Sequence, residues 1–302
     1  MKQKGKLVIS IDLELAWGVW DKLTPAQLAA AETEERPICS ALVALFERHG
    51  VPATWAMVAA LLHAGSAEGK AGSKASWYAP DIVERIAASK VRHEIGSHGG
   101  RHIYFNAINA ATARADLDFA RETHRAHGFA FKSLVFPRNA VGHLDVLAEA
   151  GLATYRGPDL QWFPVLGGAG RILTRAANLA DKLLPIPPRT AQPQSHDRLI
   201  ELPGSMLLLG RNGLRRFALP AVTRSKLAMG LARAAESGGI FHFWFHPSNF
   251  YVRRQEQLDT IDWFLRRATD AAGRGEIEIA TMGAFAPGPA LAPARVAANA
   301  AN

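Results

Sequence analysis

Short apolar runs alternate with helical patterns along most of this 302-residue chain, and no other feature restricts its fold as strongly. The runs that read as strands lie at 6–12, 52–58, 91–97, 133–136, 153–156, 199–209, 240–246 and 277–281. The helical patterns lie at 37–49, 80–89, 111–127, 143–150, 219–236 and 255–272. Parallel strands joined by helical crossovers have this arrangement. We therefore predict an α/β fold, a distorted TIM-like (β/α)7 barrel.

The chain is predicted to form one domain over residues 1–286. Two segments depart from the alternation: residues 65–76 read as a flexible polar loop, and residues 161–198 read as an irregular insertion near the mouth of the barrel, with a proline-rich stretch. Residues 287–302 are rich in alanine and proline, and we predict a disordered tail there.

Composition narrows the possible classes of protein. Apolar residues make up 48% of the chain and charged residues 21%, which is typical of a globular protein. The single cysteine, Cys39, excludes an internal disulfide and a cysteine-rich zinc site. No apolar stretch has the length of a signal peptide or a transmembrane span, so we expect a cytoplasmic protein.

The formal net charge of +8 allows two interpretations. The basic residues can be solvated helix faces, or they can attract anionic substrates such as nucleotide sugars or lipid-diphosphate glycans. No basic stripe is interleaved with aromatic residues, so we expect no nucleic-acid partner.

The segment 93–102, HEIGSHGGRH, is the strongest chemical signal. If it forms one helical turn, the side chains of His98 and His102 point the same way. An upstream strand end supplies Asp12 and Glu14, which the alternation of a strand places on one face. Two histidines and one carboxylate, with a position left for water, form a ligand set of hydrolytic zinc sites.

Two further elements, FPR at 136–138 and FWFHP at 243–247, complete a pattern that resembles the polysaccharide deacetylase (NodB homology) family, carbohydrate esterase family 4. The resemblance extends from about residue 6 to residue 282. His98 to His102 are similar to the HxxxH metal motif of that family, and the Asp12-Leu13-Glu14 segment is similar to its first acidic motif. His246 corresponds to its late histidine after a hydrophobic strand, and the segment 201–203 (ELP) to the element between those motifs.

The resemblance implies a role for each of these side chains. It gives metal ligation to Glu14, His98 and His102, general-base catalysis to Asp12, protonation of the leaving amine to His246, and orientation of the ionised base to Arg138. The implied cofactor is a divalent metal ion, with Zn²⁺ as the expected ion. The chain differs from the family in having an acid-x-acid pair instead of adjacent aspartates.

We therefore predict a metal-dependent hydrolase that removes an N-acyl group, in the first place acetyl, from an amino sugar in a polysaccharide or its precursor. The expected partner is an N-acetylated carbohydrate. Two alternatives stay open at this point: hydrolysis of a linear or cyclic amide that is not a sugar, and a glycan-binding relative without catalysis.

Overall fold

The structure, a computed structural model, describes residues 3–163 and 171–287. Its strands are β1 (Gly5–Leu13), β2 (Thr54–Met57), β3 (Glu94–Ser97), β4 (Ser133–Val135), β5 (Thr154–Asp159), β6 (Gln194–His196), β7 (Leu199–Gly204), β8 (Met206–Leu207), β9 (Ile240–Phe245) and β10 (Ile277–Ala280). Its helices are α1 (Pro25–Thr33), α2 (Glu35–His49), α3 (Pro80–Ala87), α4 (Ala110–Ala126), α5 (Leu144–Glu149), α6 (Arg171–Leu183), α7 (Pro220–Ser237) and α8 (Arg254–Gly273).

The strands form one sheet in the order β6-β7-β5-β4-β3-β2-β1-β9-β8, and β10 pairs with the beginning of β1. Every strand pair is parallel except β6 with β7. This confirms the predicted α/β architecture of parallel strands. The register of the central strands keeps their C-terminal ends level, because Leu13 pairs with Met57, and Met57 with Ser97. The carboxyl ends of parallel strands are where α/β barrels build their sites.

The predicted strand 199–209 is divided in two at Ser205. β7 pairs with β5, and β8, which follows Ser205 directly, pairs with β9 on the other edge of the sheet. The division follows Pro203-Gly204, and proline has no N–H to donate to a strand ladder. Within the described ranges no ladder joins β7 to β9, so the barrel is not closed by strand pairing.

Alternation along β9 separates the core from the interior of the barrel. Phe241 and Phe243 both pack against Phe264 of α8, on the helix-covered side of the sheet. His242 lies between them in sequence and points to the other side, where its ring contacts Ser10 of β1. The large aromatic core therefore lies under the helices, and the interior of the barrel holds polar groups.

Two segments differ from the sequence prediction. Helix α1 was not predicted; it begins after Thr24, whose side chain accepts a hydrogen bond from the Gln27 N–H as an N-cap. The insertion predicted as irregular contains the 13-residue helix α6 and the short strand β6. Residues 288–302, nearly all of the predicted tail, lie outside the described residues, and the single-domain organisation stays a prediction. No described helix combines the length and the apolar composition needed to cross a bilayer.

Candidate metal and acid–base site

The three predicted metal ligands meet at the C-terminal edge of the sheet. A carboxylate oxygen of Glu14, Oε2, lies 3.2 Å from Nε2 of His98 and 3.0 Å from Nε2 of His102. One ligand atom from each of the three residues lies within 4.8 Å of the other two, and all three side chains are buried. Among the described residues this is the one cluster of histidine, cysteine and acid side chains that could hold a metal ion.

The two histidines converge through a loop and not through the predicted helical turn. Gly99 has φ +78° and His102 has φ +57°, values that a right-handed helix does not contain. The carboxylate of buried Asp116 accepts hydrogen bonds from the N–H groups of Gly100 (2.6 Å) and Arg101 (2.9 Å), which replaces helical hydrogen bonding. A side chain added at Gly100 would collide with Asp116, so the second glycine permits this close approach.

A hydrogen bond orients the ring of His98. Its Nδ1 donates to the carbonyl of Val135 at 2.8 Å, at the end of β4, so Nε2, which faces Glu14, is the nitrogen available to ligate a metal ion. The carbonyl of His102 accepts a 3.4 Å hydrogen bond from the indole of Trp20. Nδ1 of His102 is buried and has no hydrogen-bond partner.

Asp12 forms a buried, bidentate ion pair with an arginine that the sequence analysis missed. The guanidinium nitrogens Nη1 and Nη2 of Arg156 each lie 2.7 Å from one carboxylate oxygen of Asp12. The guanidinium also donates to the side-chain oxygen of Asn139 at 3.2 Å and lies 3.9 Å from the ring centroid of Trp244. Burial alone would raise the pKa of Asp12, but Arg156 and the neighbouring imidazoles hold that pKa below its ordinary value.

The predicted contact of Arg138 with Asp12 is wrong. Arg138 follows β4 in a turn with φ +54°, and its side chain donates to Asp21 at 2.6 Å and not to Asp12. Arg156 lies within β5, where strand alternation turns its side chain into the barrel. An arginine at the end of the predicted strand 153–156 was the available signal.

His246 lies beside both acids, as the resemblance implies. Its Nε2 is 3.5 Å from the Asp12 carboxylate and 3.6 Å from that of Glu14. Its backbone N–H donates to the side chain of Asn249 at 2.8 Å, which fixes the end of β9. The His246 side chain stays partly exposed, so a bound molecule can reach it.

A directed chain of hydrogen bonds supports Arg156 from behind. Burial lowers the pKa of His242 to about 3, and the positive charge of Arg156 contributes to this shift, so the ring is neutral. Its Nδ1 donates to the carbonyl of Leu202 at 3.2 Å, and its Nε2 accepts from the Ser10 hydroxyl at 2.9 Å. The Ser10 oxygen in turn accepts from the guanidinium of Arg156 at 3.1 Å. The neutral histidine thereby orients the arginine that pairs with Asp12.

The donor set fits a divalent metal ion. Two imidazole nitrogens and one carboxylate oxygen match the three-ligand sites in which a further coordination position stays open. Burial raises the pKa of Glu14, but the imidazoles of His246, His102 and His98 keep it well below its usual range, so this group is an anionic ligand.

Comparisons with known proteins find one family model and several solved structures that this chain resembles. The family model for polysaccharide deacetylase matches residues 31–154. A solved structure from Mycobacterium smegmatis assigned to the polysaccharide deacetylases aligns with a TM-score of 0.63 and 15% identity, covering 94% of this chain and 89% of that one. A structure from Pseudomonas aeruginosa PAO1, also assigned to the polysaccharide deacetylases, aligns with a TM-score of 0.61 and 14% identity, covering 91% of this chain and 87% of that one.

The fold also occurs in an enzyme with another name. The structure of the PuuE allantoinase aligns with a TM-score of 0.57 and 14% identity, covering 91% of this chain and 87% of that one. A search of curated proteins finds no match. These likenesses extend over nearly the whole length of the chain and show a shared fold.

Proposed function

We propose, from the premise that this chain is a divergent member of the polysaccharide deacetylase family, that it is a metal-dependent hydrolase of N-acyl groups on an amino sugar. The acyl group that we propose is acetyl, and the sugar belongs to a polysaccharide or its precursor. The observation that carries the proposal is the convergence of Glu14, His98 and His102 next to the ionised Asp12 and the partly exposed imidazole of His246.

The chemistry divides between the two halves of the site. Glu14, His98 and His102 would hold the divalent ion, for which we propose Zn²⁺. When bound, such an ion polarises the scissile carbonyl and makes water acidic enough to attack near neutral pH. Asp12, kept ionised by Arg156, accepts the proton of the attacking water.

His246 completes the proton transfers on the other side of the scissile bond. A C–O bond forms to the acyl carbon, the C–N bond breaks, and the imidazole of His246 donates a proton to the leaving nitrogen. The 3.5 Å distance between its Nε2 and the Asp12 carboxylate supports a base and an acid that act on the same amide. The products are the free amine and the carboxylate.

A second candidate is the hydrolysis of a linear or cyclic amide that is not a sugar. The specific observation in its favour is that an allantoinase has the same fold. The same ligands, base and acid would act in this reaction. The two candidates therefore differ in their substrate and not in their site residues.

The test measures acetate release from N-acetylglucosamine oligomers by the purified chain, before and after chelation and after return of Zn²⁺, Co²⁺, Ni²⁺ or Mn²⁺. Asp12→Asn is expected to lower kcat/KM by about 10²-fold or more, the usual contribution of a general base. The matched control is Asp21→Asn, an acid at the mouth that pairs with Arg138. We expect it to stay near the wild-type rate.

Three results would change the conclusion. Turnover of allantoin and other cyclic amides, without any turnover of sugar amides, selects the second candidate. Metal and glycan binding without turnover of any amide selects a glycan-binding protein. Equal rates for Asp12→Asn and Asp21→Asn would contradict the role of Asp12. The predicted cytoplasmic location is tested separately by cell fractionation.

A further inference from the structure

Helix α6 is oriented opposite to an ordinary surface helix. Among its described side chains the large apolar ones are exposed: Ile172 is 75% exposed, Leu173 66% and Leu179 47%. Its polar residues Asn178 and Asp181 instead line a cavity of about 220 Å³ between the helix and the body of the protein. An amphipathic helix in water normally turns its apolar side to the core.

Further apolar side chains extend this surface. We call the exposed side chains of Ile172, Leu173, Leu179, Leu184, Phe217 and Leu219 the α6 face. Leu179 of the helix and Ala218 of the 213–218 turn line one groove, so the two segments adjoin. Six of the nine large hydrophobic side chains that are exposed in the described parts of the chain belong to this face. An apolar patch of this kind marks an interaction surface.

The surroundings of the α6 face are positively charged. Residues 210–226 contain no acid and five basic residues, of which Arg211 and Lys226 are buried in ion pairs with Glu256 and Asp181. Arg215 and Arg216 are exposed beside Phe217, and Lys182 lines the same groove as Arg215. The acid of α6, Asp181, is neutralised by a 2.9 Å ion pair with Lys226.

We infer that the α6 face binds the surface of an anionic lipid bilayer. Aliphatic and aromatic side chains flanked by cations are the arrangement by which interfacial helices insert among acyl chains and attract anionic headgroups. A second copy of the chain fits less well, because a two-fold contact would bring Arg215 and Arg216 close to their own copies. The inference does not depend on the proposed hydrolysis.

The experiment is sedimentation of the full chain with vesicles of phosphatidylcholine alone, or of phosphatidylcholine mixed in equal parts with phosphatidylglycerol. We expect binding to the anionic vesicles that weakens as salt is added. Leu173→Gln and Phe217→Gln should each lower the partition coefficient about tenfold, through loss of one inserted apolar side chain. The control for both is Val252→Gln, which removes a side chain 43% exposed outside the face.

The charge contribution is measured with a second pair of variants. Arg215→Gln combined with Arg216→Gln should weaken binding to anionic vesicles about thirtyfold, at the usual contribution of a basic residue near such a surface. Arg92→Gln combined with Arg198→Gln removes two exposed bases elsewhere and should change little.

Several results would overturn the inference. They are absence of vesicle binding, equal binding to neutral and anionic vesicles, and variants of the α6 face that bind like their controls. A dimer in analytical ultracentrifugation that Leu173→Gln converts to a monomer would assign the face to a second copy. If a purified acidic protein binds the α6 face more tightly than the vesicles do and displaces them, the face would be assigned to a protein partner.

Discussion

Replacing Arg156 by methionine tests the reading of the acid–base half of the site. The guanidinium is 1% exposed and makes two 2.7 Å bonds to the buried Asp12 carboxylate. Removing one partner of such a pair leaves the other charge buried without compensation, which typically costs about 3–5 kcal/mol. We expect Arg156→Met to lower the free energy of unfolding by that amount.

The matched control is Arg138→Met. Its ion pair with Asp21 lies at the surface, and exposed pairs contribute about 1 kcal/mol or less. Arg156→Lys gives an intermediate case, because lysine keeps the charge but cannot form both bonds to one carboxylate. Urea unfolding of the three variants, with fluorescence as the probe, measures the differences.

Activity gives the second measurement on the same variants. If Asp12 is the base, loss of the arginine that orients it and keeps it ionised should lower kcat/KM by about 10²-fold. Arg138→Met should keep a rate close to that of the wild type. Equal destabilisation and equal activity of the Arg156 and Arg138 variants would refute the assignment of Arg156 as the positioning residue for Asp12.

Three further perturbations test other parts of the structure. Burial raises the pKa of Glu35 to about 8, while the Tyr251 hydroxyl donates to it at 2.8 Å. Because this pKa is raised, the wild-type protein loses stability as the pH rises from the ordinary glutamate pKa towards 8. Glu35→Gln should therefore be more stable than the wild type by about 3 kcal/mol at pH 7, and equally stable below about pH 4. Thermal unfolding measures the difference. Ser10→Ala should cost about 1–2 kcal/mol in urea unfolding, since it leaves the buried Nε2 of His242 without its hydrogen-bond partner. Zn²⁺ should raise the melting temperature of the wild type, with about 2.7 kcal/mol of stabilisation at a hundredfold excess over Kd, and Glu14→Gln should abolish most of that rise. An unchanged response to zinc in Glu14→Gln would contradict the ligand set.

The sequence predicted the architecture because hydrophobic periodicity is a local property. Each strand at the centre of the sheet appeared as an apolar run, and each long helix except those of the α1 and α6 segments appeared as a helical pattern. The positions of Asp12, Glu14, His98 and His246 at strand ends were also readable, because parallel strands bring their carboxyl ends to one edge.

The conformation of the histidine segment was not readable in the same way. A spacing of four residues suits a helical turn, but the loop that joins His98 and His102 is held by Asp116, which lies on α4. The residues around this loop in the sequence do not indicate which distant carboxylate accepts hydrogen bonds from its N–H groups. The meeting of the two imidazoles was therefore predictable, and the backbone that achieves it was not.

The sequence by itself determined the parallel α/β fold and the kinds of side chain gathered at its mouth, since both follow from local patterns. Only the tertiary structure decided that Arg156 and not Arg138 pairs with Asp12, and that the apolar side of α6 points away from the protein. Both depend on which surfaces meet across the barrel. The direction of a charged or apolar side chain depends on contacts between residues that are distant in sequence, and local sequence patterns do not show these contacts.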